Sequence, residues 1–264
     1  MKVDDMPVEE TEKDLPKDGA DEGSASATVK RPRRGVYLLP NLFTTAALFS
    51  GFYAIIAAMN GNFTQASVAI FISMVLDGLD GRIARLTRTQ SAFGAEYDSL
   101  ADMVSFGIAP ALIVFTWALA PLGKVGWIAA FIYAVGAALR LARFNTMIGS
   151  QDKRYFTGLP SPSAAAIVAG VIWACESAGV TGDQVASIMA LLVPVTGLLM
   201  VSNVKYHSFK ELDMKRRVPF TAILIMVLVF AVIALEPTII LLAVFAIYTL
   251  SGPVNALLRK ARGE

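Results

Sequence analysis

The stretch Val75–Val104, VLDGLDGRIARLTRTQSAFGAEYDSLADMV, decides how the chain is read. It places four aspartates, Asp77, Asp80, Asp98 and Asp102, at the junction of two apolar runs, Ser67–Leu76 and Met103–Leu119. Spacings of three and four residues put each pair of carboxylates on one face of a helix. Both runs are apolar enough to lie in a bilayer. An ionisable group at that depth costs about 3 kcal/mol, which makes it a functional candidate by default. Four acids facing one another repel strongly unless cations lie between them, so the first inference is a metal site.

Working outward, the composition agrees with a membrane protein. Of the 264 residues, 55% are hydrophobic and only 17% charged, with a mean hydropathy of +0.59. A soluble domain of this length carries more charge and fewer long apolar runs. Counted against the ~20 residues a spanning helix needs, the chain offers eight apolar segments: 36–59, 64–87, 96–118, 122–147, 162–179, 184–204, 218–235 and 237–257. Turn residues cluster at the breaks, Asn60-Gly61-Asn62, Pro121-Leu122-Gly123, Gly179 to Gly182 and Glu236-Pro237. The expected fold is an all-α polytopic bundle of about eight transmembrane helices, with the active site at the cytoplasmic ends of helices 2 and 3. Its divisions are a tail over 1–34, a catalytic membrane domain over 35–217 and a C-terminal hairpin with a basic tail over 218–264.

The first 29 residues hold nine acids and three lysines with Pro, Gly and Ser, a composition that cannot offset ordering entropy and predicts disorder. No apolar stretch of signal-peptide type follows the start. Lys30, Arg31, Arg33 and Arg34 then form a basic cluster. In the eight-segment arrangement nineteen of the twenty Lys and Arg residues from position 30 onward fall on one side, Lys124 being the exception. The positive-inside rule puts that side, and both termini, in the cytoplasm. The expected location is the plasma (inner) membrane, crossed several times. The single cysteine, Cys175, excludes an intramolecular disulfide and reads as a packing residue.

The whole pattern Asp77-x2-Asp80-Gly81-x2-Ala84-Arg85-x8-Gly94-x3-Asp98-x3-Asp102 resembles the signature of the CDP-alcohol phosphotransferases at all eight of its fixed positions. A chance match is on the order of one in 10^10 per start position. The resemblance implies an enzyme that displaces CMP from a CDP-linked lipid or alcohol with an incoming hydroxyl. It also implies that Asp77, Asp80 and Asp98 ligate metal and that Asp102 is the general base, a fourth ligand, or both. Oxygen ligands suit Mg2+ or Mn2+ better than zinc, and a pair of ions is the expected arrangement. The only histidine, His207, lies far along the chain.

On the second segment Gly81 and Ala84 are small enough to admit a nucleotide or a neighbouring helix. Arg85 has the forked guanidinium that suits a diphosphate, although a snorkelling helix-end arginine reads the same way. Gly94 is expected to precede the third helix and leave room for cytidine or ribose. Asn41, in Pro40-Asn41-Leu42-Phe43-Thr44, is either a nucleotide contact, as a similar pair is in the family, or a simple helix cap.

Three later runs resemble the phosphatidylserine synthase branch of the family: Leu139–Asn145 (LRLARFN), Phe156–Ser163 (FTGLPSPS) and Met200–Lys210 (MVSNVKYHSFK). They point to CDP-diacylglycerol as donor and L-serine as acceptor. The family resemblance implies a homodimer among membrane lipids, with no nucleic-acid partner. Arg140 and Arg143 are candidates for the serine carboxylate or the lipid phosphate. Asn145, Gly158 and Ser161 complete the acceptor set, with Ser161 expected to cap the fifth helix ahead of Pro162. Glycerol 3-phosphate or an inositol phosphate is the rival acceptor. A proton or cation transporter is the rival class, but the four acids fall within 26 residues and no second copy appears, where transporters carry internal repeats.

Overall fold

A computed structural model describes residues 38–87, 91–147, 155–207 and 220–262. The expected disordered tail over 1–34 and the basic residues Lys153, Arg154, Lys210, Lys215, Arg216 and Arg217 lie outside them.

The described residues form eight helical stretches and one pair of short strands. The helices are α1 (Leu38–Met59), α2 (Phe63–Thr87), α3 (Ala92–Leu122), α4 (Lys124–Thr146), α5 (Ser161–Ser177), α6 (Gly182–Val201), α7 (Phe220–Leu235) and α8 (Pro237–Arg262). Each coincides with one of the expected apolar segments. Five are long and apolar enough to cross a membrane: Pro40–Met59 in α1, α3, α4, α6 and Pro237–Leu258 in α8. The other three fall short of that measure for readable reasons. The second half of α2 carries Asp77, Asp80, Arg82 and Arg85, while α5 and α7 have only 17 and 16 residues.

The third helix starts at Ala92, four residues ahead of the expected position, because the Ser91 hydroxyl accepts the Gly94 N–H at 3.0 Å and caps it. Gly94 therefore sits in the first turn of α3, and the expectation that it precedes the helix is corrected. Just past Asp102 the helix widens: the Ala109 N–H reaches the Val104 carbonyl, five residues back. Such a wide turn rotates the side chains that follow it relative to a regular helix.

Close approach of small residues holds the helices together, as expected where lipid tails are as apolar as the side chains themselves. A Cβ on Gly136 of α4 would fall within 2.4 Å of the Gly197 carbonyl oxygen of α6, so these backbones touch. Hydroxyls bridge helices in the same way. Ser50 donates to the Ala69 carbonyl at 2.7 Å and Ser73 to the Ala47 carbonyl at 2.8 Å, tying α1 to α2. Tyr133, fully buried, donates to the Phe106 carbonyl at 3.0 Å and ties α4 to α3.

The strands are an addition to the all-helical expectation. β1 (Tyr155–Thr157) pairs antiparallel with β2 (Lys205–His207), Phe156 facing Tyr206. Tyr206 is fully buried and donates to the Thr249 carbonyl at 3.1 Å, so the pair is fastened to α8. Gly158, just after β1, has a φ of +82°, and a Cβ there would lie 2.2 Å from the Met200 carbonyl oxygen. Only glycine meets both demands.

Candidate active site

The second half of α2 and the first turns of α3 bring the two aspartate pairs together. Carboxylate oxygens of Asp77, Asp98 and Asp102 lie within 4.8 Å of one another. Asp80, one turn beyond Asp77, is buried at 4% exposure and accepts the Thr44 hydroxyl of α1 at 2.7 Å. The charges of Asp77 and Asp80 both bear on Asp98. Asp77 and Asp102 stand close enough that the charge of each bears on the other.

Whether these residues suit a cation can be tested on Asp98. Its Oδ1 is buried and has no hydrogen-bond partner among the described residues. A buried, unpartnered carboxylate oxygen costs several kcal/mol, and a cation removes that cost. The donor set is all oxygen, as Mg2+ or Mn2+ requires. The residues present fit a divalent metal.

One organic cation also faces the cluster. Arg140, near the end of α4, acts electrostatically on Asp77 and Asp102 and donates from Nη1 to the Ser161 hydroxyl of α5 at 2.5 Å. Ser161 is fully buried. It is the first residue of α5, with Pro160 in the capping position, so the expected cap is corrected: its hydroxyl serves Arg140 rather than the helix end.

The other candidates fall into place around this centre. Asn145 donates from Nδ2 to the Ser99 hydroxyl at 3.0 Å, which ties the end of α4 to the residue beside Asp98. Arg143 turns the other way, donating to the Val201 carbonyl at 3.2 Å and to the Asn203 side-chain oxygen at 2.8 Å. Gly158 is held by backbone, its N–H donating to the Val204 carbonyl at 2.8 Å. On the opposite side, the Asn41 side-chain oxygen lies 3.4 Å from where a Cβ on Gly94 would stand. At the corresponding point on Gly81, no atom of the described residues outside its own stretch of helix backbone lies within 4 Å, which leaves open space rather than a packed helix. Ala84 is half-buried, and Arg85, in the last turn of α2, is exposed. The structure thus joins Asp77, Asp98, Asp102, Arg140 and Ser161 in one centre, sets Asn41 against Gly94, and leaves Arg85 at the rim.

Two partners escaped the sequence reading. Thr44 stands in the quoted Pro40–Thr44 run but lies 36 residues from Asp80, and Ser99 lies 46 from Asn145. Nothing local marks either pairing. Thr44→Val removes the hydroxyl that orients Asp80 and is expected to lower Mn2+ affinity about tenfold, read by electron paramagnetic resonance, while Thr44→Ser keeps it. Equal affinity in Thr44→Val and the parent protein would show that the hydrogen bond plays no part in the metal site.

Known proteins with this pattern can now be set beside the geometry. The chain is 35% identical over 217 residues to a CDP-diacylglycerol–serine O-phosphatidyltransferase of Helicobacter pylori, a match that covers 82% of this chain and 91% of the relative. It is 32% identical over 225 residues to the enzyme of the same name from Mycobacterium bovis, covering 83% and 78% of the two chains. A shorter match, 39% identical over 151 residues, covers 52% of this chain and 54% of the enzyme of that name from Saccharomyces cerevisiae. A family model of the CDP-alcohol phosphatidyltransferases matches residues 37–201, the part that holds all four aspartates, Arg140 and Ser161. On its aspartate centre and on these matches together, the chain belongs to the CDP-alcohol phosphatidyltransferase family.

Proposed function

We propose that this protein transfers the phosphatidyl group of CDP-diacylglycerol to the hydroxyl of L-serine, giving phosphatidylserine and CMP. The observation that carries the reading is the meeting of Asp77, Asp98 and Asp102 with an unpartnered buried oxygen on Asp98. The acceptor follows from the relatives, which bear the serine transferase name across 82–83% of this chain.

Asp77, Asp80, Asp98 and Asp102 would hold the metal, two ions of Mg2+ or Mn2+. When bound, such ions neutralise charge on the diphosphate and on the departing CMP. The chain's own residues do the rest. Thr44 holds the Asp80 carboxylate in place. Arg85 at the rim neutralises the diphosphate, and the open space by Gly81, with Ala84, Asn41 and Gly94, receives the nucleotide. Arg140, already close to Asp77 and Asp102, binds the serine carboxylate or the lipid phosphate, steadied by Ser161. Asn145, fixed through Ser99, orients the acceptor beside Asp98. Asp102 accepts the proton of the serine hydroxyl as its oxygen bonds to phosphorus. The phosphorus–oxygen bond to CMP then breaks, with little covalent work for the protein beyond positioning and charge.

The site opens to the cytoplasm, where both termini lie, because the basic residues gather on that side. The plasma (inner) membrane is the location that follows. The catalytic domain spans 35–217, followed by the hairpin of α7 and α8. A homodimer rests on the family resemblance alone.

The test is CMP release by purified protein in detergent–lipid micelles, with CDP-diacylglycerol, Mn2+ or Mg2+, and serine, glycerol 3-phosphate or inositol phosphate in turn. Release with serine only, abolished by a chelator and restored by Mn2+, is the expected result. Release with another acceptor would overturn the serine assignment, and release that survives chelation would overturn the metal's role.

A further inference from the structure

The reaction described above needs its lipid donor to enter sideways from the bilayer, and the described residues form a groove suited to an acyl chain. A groove of about 490 Å³ runs along the outer seam of α1 and α2, lined by Ala46, Phe49 and Tyr53 from one helix and Val68, Ile72 and Leu76 from the other. The stripe Val68, Ile72 and Leu76 continues one helical turn on to Asp80, which the Thr44 hydroxyl of α1 holds, so the groove's mouth at Leu76 is its end toward the aspartates. Between the mouth and the polar far end, where Tyr53, Thr64 and Gln65 lie, the Ser50 hydroxyl is turned away to the Ala69 carbonyl at 2.7 Å, which leaves that part of the wall apolar. The far end is marked by a polar pair, the Tyr53 hydroxyl donating to the Gln65 side-chain oxygen at 3.2 Å.

From Leu76 to Gln65 the helix rises about 17 Å. One leaflet of the hydrocarbon core is about 15 Å deep. A single chain from a lipid whose diphosphate sits on the aspartates therefore fits from mouth to stop. The side of α2 toward α5 and α8 is filled instead: Phe71 packs on Trp173 at 5.9 Å and on Phe245 at 6.3 Å between ring centroids. We propose that the α1–α2 groove holds one acyl chain of the CDP-lipid donor and that the Tyr53–Gln65 pair sets its preferred length. The proposal rests on the phosphatidyltransferase reading.

Selection here comes from fit rather than from hydrophobic transfer, because the chain leaves one apolar medium for another. A chain that cannot follow the groove displaces the reacting phosphorus, and a displacement near 1 Å can cost about a hundredfold in rate. Val68 lies about 12 Å from the mouth by helix rise, beyond the reach of a short chain. In micelles, the full chain bearing Val68→Trp is expected to lose at least about tenfold in kcat/KM for the dipalmitoyl donor. Its kcat/KM for the dioctanoyl donor should stay within about twofold of the parent, which also shows that the variant is folded. Tyr53→Ala, at a partly lipid-exposed position, removes the stop and should shift preference toward chains longer than palmitoyl. Equal effects of Val68→Trp on both donors, or an unshifted chain-length profile in Tyr53→Ala, would overturn the groove assignment alone. Absence of CMP release by the parent protein with either donor would instead overturn the catalytic reading, and the groove assignment with it.

Discussion

Asp98→Asn is expected to lower serine-dependent CMP release by about 10^2–10^3-fold, on the scale of removing one preorganised electrostatic group from an enzyme site. The substitution keeps the shape of the side chain and deletes its charge. Asp98 is the sharpest choice among the four acids because its Oδ1 is buried without a partner among the described residues, so it has no structural hydrogen bond to lose at that atom. Its effect should fall on the metal, not on the fold. Mn2+ titration followed by electron paramagnetic resonance should show weakened binding, while the melting temperature of the metal-free protein stays level or rises. The rise has a direct cause: Asp98 is crowded by the charges of Asp77 and Asp80, and removing one charge relieves the repulsion. Near-normal, metal-dependent activity in this variant would remove Asp98 from the site.

Arg140→Met is expected to act in the opposite sense on the metal-free protein. The guanidinium compensates Asp77 and Asp102 and donates to a fully buried hydroxyl, so its loss leaves carboxylates facing one another and Ser161 without its donor. Buried acids left without their compensating charge destabilise the fold, so the melting temperature of the metal-free variant is expected to fall. The destabilisation should shrink as Mn2+ is added, because the cation replaces part of the missing positive charge, whereas activity stays lost. Arg140→Lys should recover most of the stability but little of the activity, since an ammonium lacks the planar fork that can hold Ser161 and an anionic group together. Thermal melts with and without Mn2+, beside initial rates, separate these outcomes. Equal destabilisation at all Mn2+ concentrations would show that Arg140 does not answer to the aspartates.

The two variants mark different kinds of legibility. Asp98 could be named from its neighbours in the chain, because the spacing of a helical face is a local property and charge in an apolar run is conspicuous. Arg140 could be named as a candidate, but an arginine at the cytoplasmic end of a helix is as often a topology anchor. What distinguishes it is contact with Ser161, 21 residues away, and a charge that acts on acids of two other helices. Arg143, three residues on, looked equivalent, yet its guanidinium turns to Val201 and Asn203. Helical periodicity places the two arginines on one broad side of α4 but does not say which neighbour each meets.

By itself the sequence determined the membrane class, the positions of the apolar helices and the four carboxylates, since each depends on hydropathy and on separations of a few residues. It missed the early start of α3, where one serine hydroxyl capping Gly94 outweighed the apolar boundary. Only the tertiary structure decided that Thr44 holds Asp80, that Ser99 holds Asn145, that strands β1 and β2 pair and rest on α8, and that the seam of α1 and α2 leaves a groove. Those contacts join residues tens of positions apart. Their energies depend on how the helices pack against one another, which no local pattern encodes.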